Sequence, residues 1–222
     1  MNIACIDLEG VLVPEMWPHV GQLARIPGLA VTTREEPDYP RLMLRRIALL
    51  RRSGLRLVDV QRIVATLRPL HGAAEFLAAL RRQHQVLVLS DAFVELAAPF
   101  VAALGAVELQ CHRLSVDADG FIDGCCFLPR CGKEETVQQL QQDGHRVLAV
   151  GDALNDLAML RQADLGFLFQ PSPQTLQVAG DLRVALDYDA ILAAVARAAA
   201  PVERRLAPPP GGIVLRKAGN GA

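Results

Sequence analysis

The sequence lacks the features that mark several function classes. It has almost no net charge: 23 Lys and Arg stand against 24 Asp and Glu, leaving −1. No global basic footprint for nucleic acid is present. No apolar run approaches the roughly 18–20 residues that a bilayer-spanning helix needs, so no membrane partner is expected. Residues 3–6 follow the first methionine with no basic region and no cleavage pattern. The expectation is a chain without a signal peptide, working in the cytoplasm. Cysteines are few and odd in number: Cys5, Cys111, Cys125, Cys126 and Cys131. That argues against a disulfide framework. A zinc module of Cys111, His112, Cys125, Cys126 and Cys131 is disfavoured, because Cys-x-x-Cys spacing is missing. The adjacent Cys125-Cys126 would also point to opposite faces of a strand.

Half of the residues are hydrophobic and about a fifth are charged, an ordinary globular balance. The length suits one buried domain with a small insertion. Residues 3–6, 85–89 and 146–150 are short apolar runs, each too short for a helix and each followed by a turn and a helical pattern. Such runs fit strands buried on both faces of a parallel sheet. Cys5, in the first run, reads as a small core residue. Residues 165–169 and 182–185 add two strands. Helical spacing runs through 73–82, 94–104, 134–142, 153–162 and 190–200. This alternation predicts the α/β class, with a Rossmann-like, doubly wound parallel sheet. Within residues 110–127, two strand-like runs flank Asp117-Ala118-Asp119-Gly120, which reads as a hairpin turn.

Residues 15–72 break the alternation. Residues 41–52 and 57–67 are amphipathic helix patterns, the second with Val60, Ile63, Val64 and Leu67 on one face. The expected division is a core of 1–14 and 73–205, a helical cap of 15–72 inserted after the first strand, and a tail of 206–222. The tail, with Pro208-Pro209-Pro210-Gly211-Gly212, is expected to be disordered.

The ends of the three apolar runs carry matching chemistry. The first leads into Asp7-Leu8-Glu9-Gly10-Val11, the second into Ser90-Asp91, the third into Gly151-Asp152 with Asn155-Asp156. Ligands of open parallel sheets bind beyond the carboxyl ends of the strands, so the three clusters would converge. Asp7 and Asp152 supply hard oxygens suited to Mg²⁺. Ser90 offers a hydroxyl, and amides at the start of the following helix would face an anion. Lys133 opens the helix after the hairpin and would neutralise phosphate. A carboxylate becomes a nucleophile toward phosphorus when a metal and a lysine suppress its repulsion. Glu9, two residues after Asp7 on an extended segment, lies on the same side and would serve as general acid, then general base. Taken singly, these residues also read as turns, helix caps or solvated charges.

In this order the residues resemble the haloacid dehalogenase-like phosphatase superfamily, over residues 1 to about 200. The insertion after the first motif is similar to the small helical cap of its phosphoserine phosphatase branch. Most of these phosphatases carry Asp two residues after the nucleophile, whereas this chain carries Glu9. The stretch from Asp7 to Glu15 resembles the bifunctional phosphoserine phosphatase/homoserine phosphotransferase group, where Glu belongs to the pattern. Thr32-Thr33-Arg34, Pro37-Asp38-Tyr39, residues 63–67 with Pro69-Leu70, and Leu89-Ser90-Asp91 share the likeness. Cys131-Gly132 before Lys133 departs from it.

The resemblance implies roles. Asp7 would be the nucleophile and a metal ligand. Glu9 would be the proton donor and, through its backbone carbonyl, a metal ligand, with Asp152 as the third. Ser90 and the Asp91 amide would hold the phosphoryl group beside Lys133. Asn155 would orient the substrate, and Asp156 would support the metal-side loop. Glu15 would pair the ammonium of phosphoserine, and Arg46 would grip its carboxylate as a bidentate fork. Arg46 is one of five arginines in residues 41–52, where most are expected to be solvated. The expected activity is Mg²⁺-dependent hydrolysis of phosphoserine, with transfer to homoserine as a second outcome. The partners are then small molecules, and a homodimer is compatible with the sequence without being fixed by it. The rival readings are a phosphatase for a sugar phosphate or a pyridoxal phosphate-like ester, and a binding protein that kept the fold.

Overall fold

The computed structural model describes residues 1–33, 35–36, 38–127 and 132–199. The expected tail of 206–222 lies outside these residues, as do Arg34, Pro37 and Cys131.

The apolar runs form the centre of one sheet. Strand β1 (Asn2–Ile6) pairs in parallel with β2 (Gln85–Phe93) on one side and β5 (Arg146–Gly151) on the other. Strands β3 (Glu108–Val116) and β4 (Ile122–Cys126) extend one edge, and β6 (Leu165–Phe169) and β7 (Arg183–Ala185) the other. The order is β4-β3-β2-β1-β5-β6-β7, with β4 antiparallel to β3. The doubly wound expectation therefore holds for six strands, and the predicted hairpin adds an antiparallel edge.

Both faces of the sheet are covered, as continuous apolar strands require. Ala4, Ile6, Val86, Val88, Leu148 and Val150 face the larger core. Ile3, Cys5, Leu87, Leu89, Val147 and Ala149 face a second one, with Val137 and Met159. Cys5 is fully buried, and that burial pushes its thiol up to about 12.

Helices α1 (Met16–Leu23), α2 (Tyr39–Arg52) and α3 (Leu57–Val64) lie between β1 and α4 (Ala73–Leu80). Asp38 caps α2 by accepting from the Arg41 amide. Sequence periodicity does not reveal α1, which is eight residues long and carries Pro18 in its first turn. The α2–α3 connection is tied to the hairpin. Arg51 pairs with Asp117, Arg51 and Arg56 lie over the Phe121 ring, and the Leu57 amide donates to the Gly120 carbonyl at 3.0 Å.

The remaining helices are α5 (Val94–Ala103), α6 (Lys133–Gln142), α7 (Leu157–Gln162), α8 (Pro173–Ala179) and α9 (Tyr188–Ala199). The helix expected over 153–162 begins instead as a 3-10 turn, Leu154–Asp156. Helix α8 is absent from the sequence-based expectation, although Ser172 caps it and Pro173 occupies its first turn. No helix among the described residues is long and apolar enough to cross a membrane.

Candidate active site

The register brings the strand ends level. Ile6 lies beside Val88 on one side and Val150 on the other, and the Asp7 amide donates to the Val150 carbonyl at 2.9 Å. Asp7, Ser90 and Asp152 therefore emerge at one edge, where the chain order reverses about β1.

After Asp7 the chain folds back on itself. The Gly10 amide donates to the Val13 carbonyl, and the Leu12 and Val13 amides donate to the Leu8 carbonyl. Tyr188 from α9 donates to the Val11 carbonyl at 2.6 Å. Gly10 has φ +79°, and a Cβ there would overlap the Asp152 carboxylate. The loop can approach Asp152 only because residue 10 is glycine.

Lys133, the first residue of α6, reaches back into this crevice. Its Nζ donates to Asp7 Oδ1 at 2.6 Å and to Asp156 Oδ1 at 2.8 Å, with its side chain 9% exposed. Asp156 Oδ2 accepts from the Asp152 and Ala153 amides at 3.0 and 3.2 Å. Asp156 is thus committed on both oxygens and braces lysine and loop together. Burial works against the Lys133 charge, but Asp156 and Asp7 outweigh it and hold the ammonium well above its usual range.

The carboxylates respond in kind. Burial and the nearby Asp156 raise Asp7 well above the ordinary carboxylate value. Burial, then Asp156 and Glu15, push Asp152 up to about 7. Oxygens of Asp7, Asp152 and Asp156 lie within 4.8 Å of one another. Three carboxylates against one ammonium leave negative charge in excess, and all the donors are hard oxygens. This set fits a divalent cation of the magnesium kind. Among the described residues this trio is the group so arranged. The Glu9 side chain stands apart from it. Glu9 Oε1 accepts from the Met16 amide at 2.6 Å, and burial, then Glu15, push its carboxyl up to about 8.

The phosphate-side expectation needs correction in one respect. Strand β2 does not end at Ser90 but continues to Phe93, so Ser90 and Asp91 lie in a strand and not at a helix start. The β2–β3 register slips between Leu89 and Phe93, which makes this segment a bulge. Bulges re-aim side chains without a sequence signature. Ser90 is buried, and its Oγ accepts from the Ala92 amide at 3.1 Å. The Asp91 carboxylate accepts from Asn155 Nδ2 at 2.8 Å, with Lys133 Nζ at 3.9 Å and His112 Nε2 at 3.7 Å.

The insertion supplies the other wall. Of the five arginines in residues 41–52, only Arg46 is buried. Its guanidinium lies 4.7 Å over the Trp17 ring, and it donates to the Val31 carbonyl at 2.8 Å. Its Nε is buried without a hydrogen-bond partner. Glu15 is exposed at the N-cap of α1, where its charge reaches Glu9, Arg46 and Asp152. The sequence-predicted residues therefore gather at one crevice, while the positions of Tyr39 and His112 beside Asp91 are additional. Tyr39 lies within Pro37-Asp38-Tyr39, one of the stretches that carry the family resemblance, but nothing local in sequence tells that its hydroxyl reaches β2.

Over most of its length the chain is similar to known proteins. Residues 12–161 match the haloacid dehalogenase-like hydrolase family. Over 169 residues the chain is 43% identical to phosphoserine phosphatase ThrH of Pseudomonas aeruginosa, covering 76% of this chain and 82% of that protein. It is 42% identical to a phosphoserine phosphatase of Pseudomonas syringae pv. tomato, covering 76% and 71%. In fold it resembles a solved phospho-aspartyl intermediate analogue of phosphoserine phosphatase, with a TM-score of 0.72 at 22% identity over 87% of this chain and 98% of that one. The chain belongs to the haloacid dehalogenase-like hydrolase family.

Proposed function

We propose that this protein is an Mg²⁺-dependent phosphoserine phosphatase that also transfers the phosphoryl group from phosphoserine to homoserine through an aspartyl-phosphate on Asp7. The observation that carries the substrate is Arg46, an arginine buried beside Glu9 with an unpartnered Nε. A buried guanidinium with an open donor suits a carboxylate. The relatives named phosphoserine phosphatase support the same reading.

The geometry supports the following roles. Asp7 and Asp152, with the Glu9 carbonyl, would hold Mg²⁺. The ion would neutralise phosphate charge, so that a carboxylate can approach phosphorus. Asp7 attacks in line while Lys133 keeps its oxygens oriented. Glu9, whose carboxyl is pushed up to about 8, holds a proton at neutral pH and gives it to the departing serine oxygen. It then takes a proton from the acceptor. Water yields phosphate; homoserine, one methylene longer than serine, yields phosphohomoserine. Ser90 and the Asp91 amide hold the phosphoryl group, Glu15 pairs the ammonium, and Asn155 orients the substrate. Helices α1–α3 act as a cap that limits water access.

The test is phosphoserine turnover with Mg²⁺, with and without homoserine, in wild type and Arg46→Ala. Phosphohomoserine should form at the expense of free phosphate. Arg46→Ala should raise KM for phosphoserine by about 100-fold or more and leave p-nitrophenyl phosphate turnover little changed. Unaltered phosphoserine kinetics in Arg46→Ala would reject the amino-acid substrate.

A further inference from the structure

Tyr39 opens α2 on the insertion, yet its hydroxyl donates to the Asp91 carbonyl of the core sheet at 2.6 Å. That carbonyl belongs to the same planar peptide unit as the Ala92 N–H. The Ala92 N–H in turn donates to Ser90 Oγ at 3.1 Å. One peptide therefore connects Tyr39 to Ser90. It lies in the bulge between Leu89 and Phe93, where the strand ladder does not fix its orientation. The Tyr39 ring packs on Phe93 with centroids 6.4 Å apart and on Phe127 at 5.7 Å, so the hydroxyl is held in place by its surroundings.

We infer that Tyr39 is a positioning residue for phosphoryl transfer, its hydroxyl fixing the Asp91–Ala92 peptide that in turn aims the Ser90 hydroxyl. A hydroxyl that already accepts one hydrogen bond has its remaining directions restricted. With Oγ engaged by the Ala92 amide, the Ser90 proton is available to a phosphoryl oxygen. Hydrogen bonds in such a chain also polarise one another. Because Tyr39 belongs to the insertion and Ser90 to the core, the phosphoryl grip depends on how the insertion seats. The inference rests on Ser90 holding the phosphoryl group, as proposed above.

A double-mutant cycle of Tyr39→Phe and Ser90→Ala tests it, with phosphoserine and p-nitrophenyl phosphate as substrates and Tm measured for all four proteins. Tyr39→Phe keeps the ring and removes the donor. It should lower kcat about 3- to 10-fold on each substrate turned over, with Tm within about 3 °C of wild type. In the Ser90→Ala background the same change should cost less than about 2-fold. Where Ser90→Ala leaves too little turnover to measure, affinity for inorganic phosphate by calorimetry reads the same cycle. Equal losses in both backgrounds, or no loss from Tyr39→Phe in wild type, overturn the inference. Wild-type turnover of p-nitrophenyl phosphate without turnover of phosphoserine would reject the substrate reading instead, and the cycle would still be read on p-nitrophenyl phosphate.

Discussion

Gly10 and Asp152 compete for one space: the loop after β1 passes so close to the Asp152 carboxylate that a Cβ on residue 10 would overlap it. The backbone there stands at φ +79°, a region costly for other residues. Gly10→Ala should therefore do two kinds of damage. Backbone strain should lower stability by about 1–3 kcal/mol, and displacement of Asp152 should lower kcat by at least about 100-fold. Gly54 provides the control. It has φ +68°, and a Cβ on it would meet nothing within 4 Å, so Gly54→Ala should show strain alone. Tm and kcat of both variants separate the two effects, and equal kcat in both would contradict the crowding argument.

Lys133 is nearly enclosed between Asp7 and Asp156. Replacing it with Met keeps much of the volume but leaves buried carboxylates without their cation. Denaturant unfolding of Lys133→Met at pH 8 should show a loss of about 3–5 kcal/mol. Adding Asp156→Asn should restore part of that stability, because one uncompensated charge is removed. It should not restore turnover, because the proposed nucleophile Asp7 would still lack the lysine that contacts it.

Asp152 makes stability depend on pH in the absence of metal. Its folded value, about 7, lies above the ordinary aspartate value of 3.8. Between these limits the folded state binds the proton more tightly than the unfolded state, so stability falls as pH rises. The contribution is intact below about pH 4 and lost above about pH 7. The shift corresponds to at most roughly 4 kcal/mol, and about half of that is expected for a partly accessible group. In metal-free protein, the Tm advantage of Asp152→Asn over wild type should therefore grow from near zero at pH 4 to about 4–8 °C at pH 8. A Tm difference independent of pH would contradict this electrostatic account. Saturating Mg²⁺ should stabilise wild type far more than the variant.

The sheet is the most legible part of the fold, because strands buried on both faces leave uninterrupted apolar runs such as residues 146–150. The convergence of Asp7, Ser90 and Asp152 follows from those strands being parallel. Short helices are less legible. In α1, Pro18 and a length of eight residues mask the periodicity. In α8, the Ser172-Pro173 signal stands without a clear apolar stripe behind it. The extension of β2 through Phe93 depends on a bulge against β3, which is a tertiary feature. Arg46 shows the same limit within the site. Five arginines look alike in sequence, and packing on Trp17 buries one of them. The link from Tyr39 to Asp91 spans 52 residues and follows from tertiary packing.

Asp7 is the proposed carrier of the phosphoryl group. Rapid quenching of the Mg²⁺-loaded protein during turnover of phosphoserine labelled in its phosphate tests it most directly. Acid-stable, base-labile label should appear on the wild-type chain, be lost in Asp7→Asn and be chased into phosphohomoserine by added homoserine. Turnover of phosphoserine at an undiminished rate by Asp7→Asn, or steady hydrolysis with label absent from the wild-type chain, would contradict it.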